Sequence, residues 1–158
     1  MAKIEKSIVI DAPVEKVFTF MAEPNNLLEI WPSLLEIRNV EPLPNGGYCY
    51  DWTYKMAGLR FEGRAEWIEF VKDQRVVDRN EGGIPSTFVW TYQPEGAGTR
   101  VTMRVDYSIP GAAVGRLAEP IIQKMNEHEA GTILANLKTR MEALPEPRDM
   151  AGRELEVF

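Results

Sequence analysis

The sequence predicts an α+β fold: an antiparallel sheet of about seven strands, aromatic on one face, covered by a long C-terminal helix, with two short helices after the first strand. Three observations carry this. Residues 48–56, YCYDWTYKM, place Tyr48, Tyr50, Trp52, Tyr54 and Met56 at every second position, with Cys49, Asp51, Thr53 and Lys55 between them. Such alternation marks a strand with one buried and one wet face. From about Leu35 to Ile109 similar segments are separated by turn-forming breaks, as in a meander. After Pro110-Gly111 the pattern becomes helical and stays so to about Ala143.

Residues 3–11, KIEKSIVID, form the first strand. Asp11, Ala12 and Pro13 open a helix, the carboxylate as its cap and proline near the first turn, where a missing N–H costs nothing. Val14, Val17, Phe18 and Met21 are its apolar stripe. Pro24 starts a second short helix that ends before Trp31-Pro32, because the residue before proline avoids the helical region. Six strands follow, broken at Pro44-Asn45-Gly46-Gly47, Ala57-Gly58, Lys72-Asp73, Gly82-Gly83 and Glu95-Gly96-Ala97-Gly98. In the long helix, the second half offers Ala130, Ile133, Leu134, Leu137, Met141 and Leu144, and the first half Val114, Ala118, Ile121 and Met125. These stripes do not align. An unbroken helix would turn Gln123, Asn126 and Glu127 to the core, so either it bends near Pro120 or Gly131 or its leading half lines something polar. Residues 1–144 read as one domain and 145–158 as a polar tail.

A tight turn at Ala57-Gly58 sets the register. Tyr54 then faces Phe61, Trp52 faces Gly63, Tyr50 faces Ala65 and Tyr48 faces Trp67. On the other face Asp51 meets Arg64 and Thr53 meets Glu62, with Lys55 opposite Arg60. A turn at Lys72-Asp73 sets Glu66 against Arg79 and Arg64 against Glu81, and directs Asp78 and Asn80 inward. A single bulge would reverse that last step. In the final hairpin Tyr92 faces Val101, Trp90 faces Met103, Phe88 faces Val105 and Ser86 faces Tyr107. Trp52 opposite Gly63 and Tyr50 opposite Ala65 leave room above the small residues, which neighbouring side chains or a ligand must fill.

The 158 residues suit a single domain, and a net charge of -6 weighs against phosphate backbones and anionic lipid as partners. An aromatic platform for nucleic acid would need a basic groove. No apolar run reaches the roughly 20 residues of a membrane span, and the amino terminus lacks a signal-peptide core, so a cytoplasmic setting without membrane insertion is expected. One cysteine, Cys49, on the wet face beside Glu66, allows no internal disulfide and no cysteine-built zinc site.

Three stretches, SIVIDAPVEKVFTFMAEPNN, GGIPSTFVWTYQPEGAGTRVTMRVDYSIPG and LANLKTRMEAL, resemble the START-like, or helix-grip, superfamily in its polyketide cyclase/dehydrase-like branch. The resemblance covers about residues 3–144. It implies a curved sheet gripping the terminal helix, with a largely apolar cavity between them. In the resembling cyclases activity is attributed to polar cavity residues, often an arginine, and no arginine here falls clearly on the inner face.

The expected wall of that cavity is Trp52, Trp67 and Trp90, flanked by Tyr50, Phe88 and Met103, with Tyr54, Phe61, Gly63, Asn80 and Tyr107 as further ligand contacts. Asp78, Asn80, Ser86, Tyr50, Tyr54 and Tyr107 are its inward polar groups. Asp78, His128 and Tyr54 are the candidates for catalysis. Asp78 as base with a tyrosine hydroxyl as donor suits proton removal beside a carbonyl; alternatively Asp78 pairs with a tyrosine and orients it. His128, flanked by Glu127 and Glu129, is either a base or a solvated side chain. No metal or cofactor is implied: one histidine supplies too few ligands, and the Gly46-Gly47 and Gly82-Gly83 pairs precede no helix. The functions in view are binding of a small apolar or aromatic, lipid- or polyketide-like molecule; an aromatase/cyclase or dehydratase; and a protein-interaction module with a closed core.

Overall fold

The computed structural model of the chain describes residues 1–143, so Leu144 and the polar tail expected from Pro145 lie outside the described residues. Strand β1 (Ala2–Ile10) leads into α1 (Val14–Met21) and a 3-10 helix (Pro24–Glu29). Six strands follow: β2 (Leu34–Pro42), β3 (Tyr48–Met56), β4 (Leu59–Val71), β5 (Arg75–Gly82), β6 (Ser86–Glu95) and β7 (Gly98–Tyr107). A short α2 (Gly111–Val114) and the long α3 (Glu119–Glu142) complete the described chain. The strands form one antiparallel sheet in the order β1-β7-β6-β5-β4-β3-β2. Only the β1–β7 pairing departs from sequence order. β1 and β2 are therefore the edges, and α1 with the 3-10 helix carries the chain from one edge to the other.

The registers are those the alternation and charge pattern predict. Tyr54 pairs with Phe61, Trp52 with Gly63, Tyr50 with Ala65 and Asp51 with Arg64. Asn80 pairs with Ala65 and Ser86, and Ser86 with Tyr107. A bulge does occur in β4, between Trp67 and Glu69. It lies between the turn and the Trp67–Asp78 pair, and it offsets a turn one residue longer than expected, with Val71 opposite Arg75 across Lys72–Gln74, so Asp78 and Asn80 still point inward. On the outer face the Arg64 guanidinium sits 2.9 Å from Asp51. Exposed pairs of this kind contribute a few tenths to about 1 kcal/mol each, and they disfavour a one-residue slip.

Three expectations are corrected. The N-cap of α1 is Pro13, without a side-chain bond; the helix begins at Val14, too late for Asp11 to cap it. The Asp11 backbone N–H instead donates to Glu142 at 2.7 Å, tying the end of β1 to the end of α3. Second, α3 is continuous through Gly131. The break lies earlier, at an extended Ala118, which puts Pro120 in the first turn, where it disrupts nothing. Val114, Ile121 and Met125, expected to pack, are accordingly 41%, 51% and 48% exposed, while Ile122, Gln123 and Asn126 turn toward the sheet and Glu127 stays exposed. Third, Cys49 faces outward but is buried, because Arg64 lies over it and donates to its sulfur at 3.1 Å.

The inner face divides into two zones. Under α1 it is closed: Phe18 packs edge-on to Tyr92 at 5.1 Å and against Phe70 at 5.4 Å, and Trp67 stacks parallel to Phe70 at 6.2 Å. Under α3, Ala130, Ile133, Leu134 and Leu137 are buried.

The space above Gly63 is taken by Trp52. A Cβ built on Gly63 would lie 2.2 Å from the Trp52 Cζ2 and 2.4 Å from the Glu81 carbonyl oxygen. Backbone cannot retreat as a side-chain tip can. Gly63→Ala is therefore expected to destabilise the fold by about 3 kcal/mol, the upper end for overpacking, in urea unfolding. Unchanged stability would contradict this packing.

Candidate functional site

Between the sheet and the leading half of α3 lies a cavity of about 100 Å³. Its walls come from β3 (Tyr50, Trp52, Tyr54, Met56), β5 (Asp78, Asn80), β6 (Ser86, Phe88), β7 (Met103, Val105, Tyr107) and α3 (Asn126, Glu129, Ala130, Ile133). Trp31, at the exit of the 3-10 helix, closes one side. Because strand side chains alternate, neighbouring strands bring like positions into rows. One row, Tyr50–Ala65–Asn80–Ser86–Tyr107, draws a polar line across an otherwise apolar floor.

Of the expected ligand contacts, Tyr50, Trp52, Tyr54, Asn80, Phe88, Met103 and Tyr107 line the cavity, as do Asp78 and Ser86. Phe61, Gly63, Trp67 and Trp90 are not among the lining residues. Gly63 is roofed by Trp52, and Phe61 lies half-buried on the adjacent strand. Trp67 turns toward Phe70, and Trp90 stacks on Phe88 at 6.4 Å behind Trp31. Both indoles belong to the aromatic core that holds the wall up. His128 is exposed, on the rim of an outer groove. No arginine lines the cavity among the described residues.

Two of the three inward tyrosines have their hydroxyls fully occupied. Tyr107 donates to Gln123 at 3.0 Å and accepts from Asn126 at 2.9 Å. Tyr54 donates to Glu129 at 3.1 Å and accepts from the Trp31 indole N–H at 3.3 Å. Burial first, and then the Glu129 charge, holds the Tyr54 hydroxyl far above the ordinary range, so it stays protonated. Glu129 also accepts from the Ser33 hydroxyl at 2.6 Å and the Ser33 backbone N–H at 3.0 Å. Trp31, Ser33, Asn126 and Glu129 were missing from the expected site. A signal for part of it existed: Ile122, Asn126, Glu129 and Ile133 recur at the spacing of one helix face.

Three other polar side chains of the cavity are incompletely satisfied. Tyr50 accepts from Trp67 at 3.4 Å, with no acceptor for its own proton among the described residues. The Trp52 indole N–H and Asp78 Oδ1 are buried without any partner among those residues. Orphaned buried polar atoms are uncommon and each costs about 1–3 kcal/mol; of the three among the described residues, these two belong to side chains lining the cavity and the third, Asp73 Oδ1, lies in the β4–β5 turn. Among the described residues Asp78 forms no hydrogen bond to a tyrosine. Burial raises its carboxyl to about 7, an effect that Asn80 lowers in part. Among the described residues no group of three or more potential ligands is placed to hold a metal ion, and no helix is long and apolar enough to cross a membrane.

The model of the family described as polyketide cyclase / dehydrase and lipid transport matches residues 1–142. No curated protein matches. Among solved structures, TTHA0849 from Thermus thermophilus superposes with a TM-score of 0.73 at 21% identity, covering 88% of this chain and 96% of that one. A START superfamily protein from Mycobacterium smegmatis gives 0.72 at 10% identity, over 90% and 98%. The di-domain ARO/CYC StfQ of the steffimycin biosynthetic pathway gives 0.70 at 16% identity, over 96% of this chain and 52% of that one. At these identities the likeness establishes the helix-grip fold.

The raised Asp78 carboxyl has a consequence for stability. Folded, Asp78 keeps its proton to about pH 7, whereas unfolded it ionises near its ordinary value of 3.8. Its contribution is therefore full below about pH 4, falls as the pH rises through this window, and is gone above about pH 7. The loss is on the order of 4 kcal/mol. Urea unfolding across this range should show the wild type losing stability with rising pH and Asp78→Asn losing much less. Equal slopes would contradict the assignment.

Proposed function

This chain belongs to the polyketide cyclase / dehydrase and lipid transport family, and we propose that it binds a small, largely apolar molecule carrying one polar group in the cavity between sheet and α3. The family supports a hydrophobic-ligand or cyclase role; the cavity supplies the detail. The observation that carries the reading is the pair of unpartnered atoms, the Trp52 indole N–H and Asp78 Oδ1, in a chamber whose other walls are largely apolar. A ligand carbonyl or hydroxyl would satisfy one of them, and the aromatic walls would bury the rest. The size is restrictive: about 100 Å³ is less than a cavity of about 150 Å³ that accepts benzene. The inner chamber by itself suits a short chain rather than a ring.

Native mass spectrometry of gently purified protein, with extraction of what accompanies it, tests this directly. Ala130 is 3% exposed and lines the chamber from α3, so Ala130→Leu fills it from within. That variant should keep its circular dichroism spectrum and lose ligand affinity at least about ten-fold, the effect of some 1.4 kcal/mol. Undiminished binding would place the ligand elsewhere.

A second reading rests on Asp78 specifically. A carboxyl poised near 7 exchanges protons at neutral pH. Its ionised form would take a proton from the carbon beside a bound carbonyl, and the resulting enolate oxygen would accept from the Tyr50 hydroxyl or the Trp52 N–H. The measurement is deuterium uptake at that carbon of a bound small ketone, followed by NMR. Uptake accelerated by the protein and abolished in Asp78→Asn supports proton transfer; uptake at the uncatalysed rate leaves binding alone.

A further inference from the structure

The inner chamber adjoins a second, outer hollow of about 510 Å³, and the two share Met56, Asn126 and Glu129 as walls. The hollow runs between the β3–β4 hairpin and α3. Lys124, His128 and Thr132 stand four residues apart on one helix face, and Lys55 stands on the hairpin opposite. We propose that the outer hollow is the anion-binding half of the same site, so that the ligand is an amphiphile with a short apolar end and a carboxylate-like or phosphate-like head. This rests on the cavity reading above.

Three observations support the assignment. Acidic residues outnumber basic ones in the chain, 24 to 18, yet neither Lys55 nor Lys124 forms an ion pair among the described residues. Many surface bases here do: Arg38, Arg64, Arg75, Arg79, Arg100 and Lys138 all have acidic partners. Among the described residues the only carboxylate lining the hollow, Glu129, is taken up by Ser33 and Tyr54 and makes no bond to either lysine. Finally, the inner chamber is largely apolar and offers no cation among the described lining residues, so burying an anionic head there is costly and the ligand's direction is fixed: apolar end in, charged end out. Met56 and Met125 flank the passage and give the chain between the two ends an apolar, deformable lining.

Matched probes separate this claim from the cavity reading. Octanoate, 1-octanol and octylammonium share one tail and differ in head charge. Their binding to the full chain is read from tryptophan fluorescence, since Trp31 and Trp52 line the chamber, and checked by calorimetry at low and high salt. The expected order is octanoate over 1-octanol by at least about ten-fold, with octylammonium weakest and the gap narrowing in high salt. In Lys55→Gln/Lys124→Gln the octanoate-to-octanol ratio should fall to about one, since only the charge recognition is removed. Equal binding of octanoate and octanol, or a ratio unchanged in the double variant, overturns the anionic head while leaving the cavity in place. Failure of all three probes to bind would overturn the cavity reading and this inference with it.

Discussion

A sheet that is aromatic on one side cannot be stable until that side is covered, and everything else in this molecule follows from how the cover is shared. Each buried aromatic removes some 150–250 Å² from water, so an uncovered inner face would cost far more than the few kcal/mol by which domains are stable. Two elements share the task. α1 lies over the Phe18–Phe70–Tyr92 end and packs it shut. The leading half of α3 instead turns Gln123, Asn126 and Glu129 toward the opposite end, and polar side chains cannot close an apolar floor. The chamber is the part of the face that the helix does not fill.

Glu129 makes this incomplete cover rigid. Its carboxylate gathers the Ser33 backbone and hydroxyl from the entry to β2 and the Tyr54 hydroxyl from β3. Tyr54 in turn holds the Trp31 indole. A helix, two strands and the cavity's side wall thus meet on one charged group served entirely by neutral donors. Charge-assisted bonds of this kind are stronger than neutral ones, and they pin α3 at the point where the chamber opens to the outer hollow. The far end of the helix is held separately, by the Asp11 backbone on Glu142 and by Lys16 on the Met141 carbonyl.

The frame was legible from the sequence because two independent patterns agreed. Period-two alternation assigned faces, and opposite charges such as Asp51 with Arg64 or Glu66 with Arg79 fixed which residues stood across from each other. Asp78, Asn80 and Ser86 were located by that register alone. What escaped was whatever depends on how elements meet. Trp31 reads as the end of a short helix, and only the approach of β3 makes it a wall. Glu129 reads as a flanking charge of His128 until the direction of the helix is known, and α3 turns Glu129 in and His128 out. Trp67 and Trp90 share the inner face with Trp52, but inner-facing and cavity-lining are different conditions. α1 and Trp31 decide between them, and neither contact is written in a strand's own pattern.

The closeness of Trp52 to Gly63 also bears on how such a protein diversifies. The floor beneath the indole is bare backbone, fixed by a glycine that tolerates no added carbon, while the occupant above it is one side chain. The size of the chamber is thus encoded at position 52 rather than in the frame. A lineage that replaces this tryptophan by a smaller residue gains room for a larger ligand in a single substitution, with strand pairing and helix cover untouched. A lineage that changes position 63 loses stability without gaining room for any new ligand. Position 63 is held by the Glu81 carbonyl as well as by the indole, so it stays glycine even where position 52 shrinks, and one scaffold can accumulate ligand specificities above a floor that does not change.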